Sequence, residues 1–230
     1  MSSKAPSFDP QKVPVSSIDH DLPPVSLDRL RASALRQRFQ SPPRWEPEII
    51  GDARRLEKAP RPASVLIAVV QRPEPSIVLT QRTAHLSAHA GQIAFPGGRV
   101  EPEDRDAAAT ALREAHEEIG LLPSEVDVLG ALPTYVTGTG FSITPIVGIV
   151  EPGFTLKVDP SEVDEVFEVP FEFLMSPAHH RRHAIDVPGL RREFLSMPWS
   201  GPTAGGQLRE YFIWGATASI LRNFYRFLSA

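Results

Sequence analysis

Apolar residues along the chain form runs whose length and spacing predict the secondary structure. Residues 63–70 (ASVLIAVV) form a continuous apolar run, which is typical of a buried strand, and residues 76–80 (SIVLT) predict a second strand after a short turn. Apolar residues at helical spacing predict helices at residues 27–39 and 216–228, and a third helix that ends at Gly120. Further runs predict strands at 126–132, 142–150, 155–158, 192–197 and 210–214, and a short helix at 170–175. Strands that surround two main helices indicate a mixed α/β (α+β) sandwich.

Prolines and serines divide the chain into three parts. Residues 1–26 are rich in both, which predicts a poorly ordered tail. Residues 27–62 are predicted to form a surface helix and a wrapped connection, because five prolines fall between residues 41 and 62. The main domain is predicted to occupy residues 63–230.

The third predicted helix has clear end signals and one apolar face. Asp104 or Asp106 is placed to cap its start, and Gly120 is a favourable stop. Five apolar residues share one helical face and are predicted to be buried: Ala108, Ala111, Leu112, Ala115 and Ile119.

Another face of this helix concentrates negative charge. Glu114, Glu117 and Glu118 stand at positions i, i+3 and i+4, where each like-charge pair costs roughly 0.2–0.5 kcal/mol. The helix dipole also disfavours anions near the C-terminal end. A solvated surface face is one interpretation of this pattern. The other is a site for a hard divalent cation, Mg²⁺ or Mn²⁺, which would offset both penalties.

Composition narrows the function classes. The 230 residues include 24 Lys and Arg against 28 Asp and Glu, a net charge of −4, which gives no electrostatic case for a nucleic-acid partner. The absence of cysteine excludes disulfides, thiolate metal sites and a cysteine nucleophile. No apolar stretch suggests a signal peptide or a membrane partner, so a cytoplasmic protein is expected. A monomer and a homodimer remain equally open.

A second group of charged residues is the run HHRRH at residues 179–183. Three histidines suggest a metal site, but the neighbouring arginines oppose a cation, so the run is predicted to be a solvated loop. Arg181 and Arg182, with Arg191 and Arg192 further on, are a weaker candidate for contact with a substrate phosphate. No G-x-S-x-G motif is present, which disfavours a serine hydrolase.

Residues 98–121 resemble the Nudix box, G-x5-E-x7-R-E-U-x-E-E-x-G-U, where U is apolar. Residues 113–121 (REAHEEIGL) fit its second half. The first half departs from the pattern, because Asp104 stands where the box has glutamate and the gap to Arg113 is one residue longer.

The residues just upstream resemble the motif of the Nudix branch that acts on coenzyme A, L-L-T-x-R-S-x3-R-x3-G-x3-F-P-G-G. Residues 78–83 (VLTQRT), Gly91 and residues 95–98 (FPGG) match it at the expected spacing. Thr83 replaces its serine and Ser87 replaces its second arginine. His85 or His89 is a candidate substitute for that arginine. Residues 211–218 are also similar to the end of this branch.

The resemblance implies a Nudix-type α/β/α sandwich and a small-molecule substrate, coenzyme A or a derivative. Its diphosphate would be hydrolysed to 3′,5′-ADP and 4′-phosphopantetheine with the help of Mg²⁺ or Mn²⁺. Glu114, Glu117, Glu118 and the Gly98 carbonyl are the expected metal ligands. The expected catalytic set is Glu114 or Glu118 as general base, with Arg113 as the orienting group. Residues expected to contact or shape the substrate are Arg82, Gly91, Gln92 and Gly97.

Two alternatives stay open within the resemblance. In the first, the chain is a hydrolase of another diphosphate, such as ADP-ribose or a nucleoside triphosphate. In the second, it is a Nudix-fold binding module without activity. The upstream motif disfavours the first alternative, and the presence of all three glutamates disfavours the second.

Overall fold

The structure is a computed structural model that describes residues 9–52, 58–83, 91–187, 190–203 and 205–230. Its elements in the first half are β1 (Val15–Ile18), α1 (Ala32–Gln40), β2 (Arg61–Val70), β3 (Ser76–Arg82), β4 (Ile93–Ala94), β5 (Gly97–Arg99) and α2 (Ala107–Ile119). The second half contains β6 (Val126–Ala131), β7 (Tyr135–Val136), β8 (Phe141–Val150), β9 (Val163–Pro170), α3 (Phe171–Leu174), β10 (Arg181–Val187), β11 (Leu190–Pro202), β12 (Leu208–Trp214) and α4 (Gly215–Ser229).

Two sheets form the body of the protein. The larger is mixed: β2 runs parallel to β8 along its whole length, whereas β3 pairs antiparallel with β2, β4 and β9. The smaller sheet has the strand order β1-β10-β11-β12 and is antiparallel. Successive residues of β2 alternate between the two faces of the large sheet, and both faces are buried.

The core therefore lies in two layers, one on each face of the large sheet. Leu66, Ala68 and Val70 pack against the apolar face of α2. Ile67 and Val69 pack on the other face, in a cluster that also holds the apolar residues of α4 and of the small sheet. This arrangement confirms the predicted α/β/α sandwich with a mixed sheet. Within the described residues, no helix is both long and apolar enough to cross a membrane.

The strand predicted at residues 155–158 is wrong. This segment pairs with no strand among the described residues and instead lies against the end of α2. Lys157 donates its backbone N–H to the Ile119 carbonyl at 2.9 Å, and Asp159 donates to the Glu118 carbonyl at 2.9 Å. The segment thus caps the C-terminus of the helix that carries the glutamates.

The expected tail also differs where the structure describes it. Residues 10–12 form a short 3-10 turn, and β1 pairs antiparallel with β10. The backbone of the segment is further held by His183, whose Nδ1 lies 2.9 Å from the Val13 carbonyl oxygen. Non-local pairing therefore orders a stretch whose composition alone favours disorder.

The prediction of a solvated HHRRH loop is wrong, because residues 181–183 begin β10 and two of the histidines are buried. His180 is 0% exposed, and its Nε2 donates to the Leu174 carbonyl at 2.8 Å while its Nδ1 accepts from Arg222 at 3.1 Å. Burial lowers the pKa of His180 to about 4, so its neutral form is favoured. Arg182 is not available for substrate, because it forms ion pairs with Asp19 and Glu48.

Candidate active site

Local signals position α2 as the sequence predicts. The Asp106 carboxylate accepts the Ala109 N–H at 2.8 Å as the N-cap, and Gly120 ends the helix with a left-handed backbone at φ 74°. The predicted apolar face is turned into the core, with three of its residues fully buried: Ala111, Ala115 and Ile119. Because this face is fixed, the orientation of the glutamates is fixed as well.

Two glycines of β5 approach α2 closely. Gly97 has φ 155° and donates its N–H to Glu118 Oε2 at 3.1 Å. A Cβ atom on Gly98 would lie 2.4 Å from the carboxylate of Glu114. Instead of a plain turn, the two glycines form a short strand paired with β2, and the missing side chain of Gly98 leaves the space that the Glu114 carboxylate fills.

Glu118 is the most buried acid of this group, with 3% exposure. Its Oε1 lies 3.3 Å from Nη1 of Arg82, the arginine of the upstream motif, and Nη2 of Arg82 lies 3.9 Å from Glu162. Burial raises the pKa of Glu118 to about 7, and it also raises the pKa of Glu114. The contacts that these carboxylates have do not offset the cost of removing their charges from water.

Arg113 donates hydrogen bonds to three carboxylates of the acidic cluster. Its Nη1 donates to Glu114 at 3.1 Å and to Glu117 at 2.8 Å, as the i+4 spacing predicts. Its Nε and Nη2 donate to the two oxygens of Asp104, both at 3.0 Å. Nη2 also donates to the Arg99 carbonyl at 2.9 Å, which ties the helix to the end of β5.

Asp104, the residue that departs from the Nudix box, has a defined place in this cluster. Its side chain is 5% exposed and also accepts from the Glu101 N–H and the Thr110 hydroxyl, each at 2.9 Å. The hydrogen bonds from Arg113 hold the pKa of Asp104 well below its usual range. Sequence reasoning missed this partner of Arg113, since nine residues and a loop separate the two.

Gly91 and Gln92 are held beside Arg82 by backbone hydrogen bonds. The Arg82 N–H donates to the Gln92 carbonyl at 3.0 Å, and the Gly91 N–H donates to the Arg82 carbonyl at 3.1 Å. Both line a cleft of about 450 Å³ together with Gln81, Arg209, Tyr211 and Trp214, among others. The candidate substitutes His85 and His89, and Ser87 itself, lie outside the described residues.

The structure therefore brings the predicted site residues together on β3, β5 and α2. Glu118 joins Gly97 to Arg82, and Glu114 joins Gly98 to Arg113. Glu117 is turned outward, with a side chain that is 57% exposed. No three Asp, Glu or His side chains of the described ranges converge closely enough to form a metal site in this arrangement.

The donor chemistry of the cluster nevertheless fits a hard divalent cation. Three carboxylates lie on one turn of helix, and burial raises the pKa values of two of them, Glu114 and Glu118. A nearby positive charge would favour their ionised forms. Glu114, Glu117 and Glu118, the carboxylates that the sequence predicts as metal ligands, thus have the donor chemistry that Mg²⁺ or Mn²⁺ prefers.

Comparisons with known proteins show the family of this chain. A model of the NUDIX domain family matches residues 60–187. The Nudix hydrolase NudL of Escherichia coli strain K12, itself described as uncharacterized, is 44% identical over 164 residues, which cover 70% of this chain and 80% of that protein. NudL of Shigella boydii serotype 18 is 43% identical over the same shares. The crystal structure of a MutT/nudix family protein from Enterococcus faecalis aligns with 76% of this chain and 64% of its own, at 15% identity and a TM-score of 0.45. With a family match over more than half of its length, this chain belongs to the Nudix family.

Proposed function

We propose that this protein hydrolyses the diphosphate bond of coenzyme A, or of an acyl or oxidised derivative, to 3′,5′-ADP and 4′-phosphopantetheine. The observation that carries the proposal is the 3.3 Å contact between Arg82 and Glu118. It joins the upstream motif, which resembles that of the coenzyme A branch, to the glutamate cluster of the Nudix box. A diphosphate bound at this junction would meet both groups.

In the proposed reaction, a water oxygen forms a bond to one phosphorus and the bond from that phosphorus to the bridging oxygen breaks. The water protons end on a carboxylate and on solvent. A divalent cation, held by Glu114, Glu117, Glu118 and the Gly98 carbonyl, would neutralise the diphosphate and activate the water. Arg82 would bind a phosphate oxygen, and Arg113 would orient the carboxylates of Glu114 and Glu117.

Two carboxylates are candidates for the general base. In the metal-free protein burial raises the pKa of Glu118 to about 7 and also raises that of Glu114, so either carboxylate can take up a proton near neutral pH. Glu118 already accepts hydrogen bonds from Gly97 and Arg82. Glu114 and Glu118 therefore remain alternative bases.

The proposal is tested with a substrate panel. Coenzyme A, acetyl-coenzyme A, ADP-ribose and dATP are each incubated with the protein and Mg²⁺ or Mn²⁺, and the products are identified by mass. We expect 3′,5′-ADP and 4′-phosphopantetheine from coenzyme A, and loss of that turnover in Glu117→Gln with an unchanged fold. Preferential cleavage of ADP-ribose or dATP would contradict coenzyme A as the substrate. If no compound is cleaved, the result would favour a binding module.

Substitution of Gly98 by alanine is expected to impair the site without destabilising the fold. The new methyl group would displace the Glu114 carboxylate, which is the flexible end of a side chain, so we expect the melting temperature to change little and turnover to fall roughly 10- to 100-fold. Gly97→Ala is the matched comparison, because its Cβ would lie 2.4 Å from the backbone oxygen of Ser64 and its φ is positive. We expect Gly97→Ala to destabilise the protein as well. Full activity of Gly98→Ala would contradict a role for Glu114 at this position.

A further inference from the structure

Two arginines outside the glutamate cluster share one aromatic ring. The guanidinium carbon of Arg61 lies 4.2 Å from the centroid of the Phe141 ring, and that of Arg99 lies 5.5 Å from it. Both arginines are exposed, while Phe141 is partly buried. The aromatic ring holds the two cations in place at little cost in flexibility.

The sheet puts the three side chains on one face. Arg61 and Phe141 are paired residues of the parallel strands β2 and β8, and Arg99 of β5 is paired with Ala63, two residues along β2 from Arg61. Side chains two residues apart on a strand point to the same side. The two guanidinium groups are therefore brought together by the backbone register.

These two arginines differ from the arginines of the glutamate cluster in their ion pairs. Arg82 and Arg113 are each paired with carboxylates. Within the ranges that the structure describes, neither Arg61 nor Arg99 forms an ion pair. Two cations beside one ring repel each other, and an anion bound between them would remove this repulsion.

The arginine pair also lies next to the proposed site of hydrolysis. Arg99 follows Gly98, which contacts Glu114, and the Arg99 carbonyl accepts a hydrogen bond from Arg113. Alternation along β5 places the Arg99 side chain on the face opposite Glu114. Among the described strands β5 pairs only with β2, so a ligand can cross its other edge from one face to the other.

We propose that Arg61 and Arg99 bind the 3′-phosphate on the ADP half of the substrate, a phosphate that the reaction does not touch. This inference rests on the proposed function. A phosphate monoester carries nearly two negative charges and three acceptor oxygens, which suit two guanidinium groups. A ribose alone separates this phosphate from the diphosphate, in agreement with the position of Arg99 beside Gly98. The pair would select substrates with a second phosphate group over those that carry the diphosphate only.

Steady-state kinetics with coenzyme A and 3′-dephospho-coenzyme A test the inference, since the two compounds differ only in this phosphate. We expect the kcat/KM of the wild-type protein to be roughly 10- to 100-fold higher for coenzyme A than for 3′-dephospho-coenzyme A. Arg61→Gln and Arg99→Gln should lose this preference through a higher KM for coenzyme A, with little change for the dephospho compound. Arg99→Lys, which keeps the charge, should recover part of it. Arg105→Gln is the control, because Arg105 is an exposed arginine on the nearby loop with a side chain that is 83% exposed.

The outcomes distinguish this inference from the proposed function. Equal kcat/KM values for the two compounds in the wild type, or equal losses for both in the variants, would overturn the inference and leave the hydrolase proposal standing. Cleavage of neither compound would overturn the hydrolase proposal. In that case, calorimetric binding of 3′,5′-ADP and 5′-AMP still tests the arginines, because equal affinities would show that they do not recognise the 3′-phosphate.

Discussion

Glu118→Gln is expected to lower the turnover of coenzyme A by roughly 100- to 10,000-fold without unfolding the protein. Glu118 is 3% exposed and lies where Gly97, Arg82 and α2 meet. Glutamine has nearly the same shape and retains one carbonyl oxygen as an acceptor. It cannot carry the negative charge that a cation or a transferred proton requires. Glu151→Gln, an exposed change outside the site, is the control and should retain full activity.

The same substitution is expected to change how the stability of the metal-free protein depends on pH. The pKa of Glu118 is about 7 in the folded state, against an ordinary value of 4.5, so the folded state binds the additional proton between these values. The free energy of unfolding of the wild type should therefore fall by about 3 kcal/mol through Glu118 as the pH rises from 4.5 past 7. His180, whose pKa is lowered, acts in the opposite direction below pH 6.5, so the informative quantity is the difference between wild type and Glu118→Gln.

Urea unfolding in EDTA at pH 5 and pH 8 measures that difference. The wild type should become less stable relative to Glu118→Gln on going to pH 8, and Mg²⁺ at pH 8 should stabilise only the wild type. An identical pH dependence of the two proteins would show that the Glu118 carboxylate is not held in a costly environment. A full Mg²⁺ response in the variant would remove Glu118 from the proposed metal ligands.

Asp104→Ala is expected to lower both stability and turnover. It leaves the guanidinium of Arg113, whose side chain is 23% exposed, without its two-pronged partner and removes the acceptor for the Glu101 N–H and the Thr110 hydroxyl. Breaking a mostly buried ion pair of this kind costs about 3 kcal/mol, or roughly 6–12 °C in melting temperature for a chain of this size. Turnover should fall as well, since Arg113 would no longer hold Glu114 and Glu117 in position.

Two further variants separate the charge of Asp104 from its shape. Asp104→Asn keeps the shape and should recover only part of the stability, because the charge that pairs with Arg113 is missing. Glu103→Gln changes an exposed acid on the same loop and should match the wild type. A melting temperature of Asp104→Ala within 1 °C of the wild type would contradict the anchoring role of Asp104, because such a shift corresponds to well under about 1 kcal/mol for a chain of this size.

What the sequence could predict depended on whether the deciding contacts were local. The cap at Asp106, the stop at Gly120 and the pair between Arg113 and Glu117 are all set within one or two helical turns. The structure confirms the predicted cap and stop and shows the pair. The contact of Arg113 with Asp104 crosses a loop, so no helical spacing reveals it. The pattern match assigned Asp104 only as a departure from the box.

The errors have the same physical origin. Residues 155–158 have a strand-like composition, but the Ile119 carbonyl at the end of α2 accepts the N–H of Lys157. The run at residues 179–183 is predicted to be solvated because its charges are visible in the sequence, whereas its partners Asp19, Glu48 and Arg222 are 42 to 163 residues away. Arg61 and Arg99 likewise meet only because β5 and β8 both align with β2.

The ion cluster around Arg222 has a consequence for where this protein can be divided. Arg222 is 2% exposed, and its guanidinium is neutralised by Asp19 at 3.0 Å and by Glu48 at 2.7 Å. The family match begins at residue 60, after both acids. A fragment cut at that boundary would retain a buried cation and lose both of its counter-ions, a loss that typically costs 3–5 kcal/mol for a single buried pair. Residues 9–52 thus supply the negative charge that allows α4 to pack, and the folding unit of this chain is larger than the segment that defines its family.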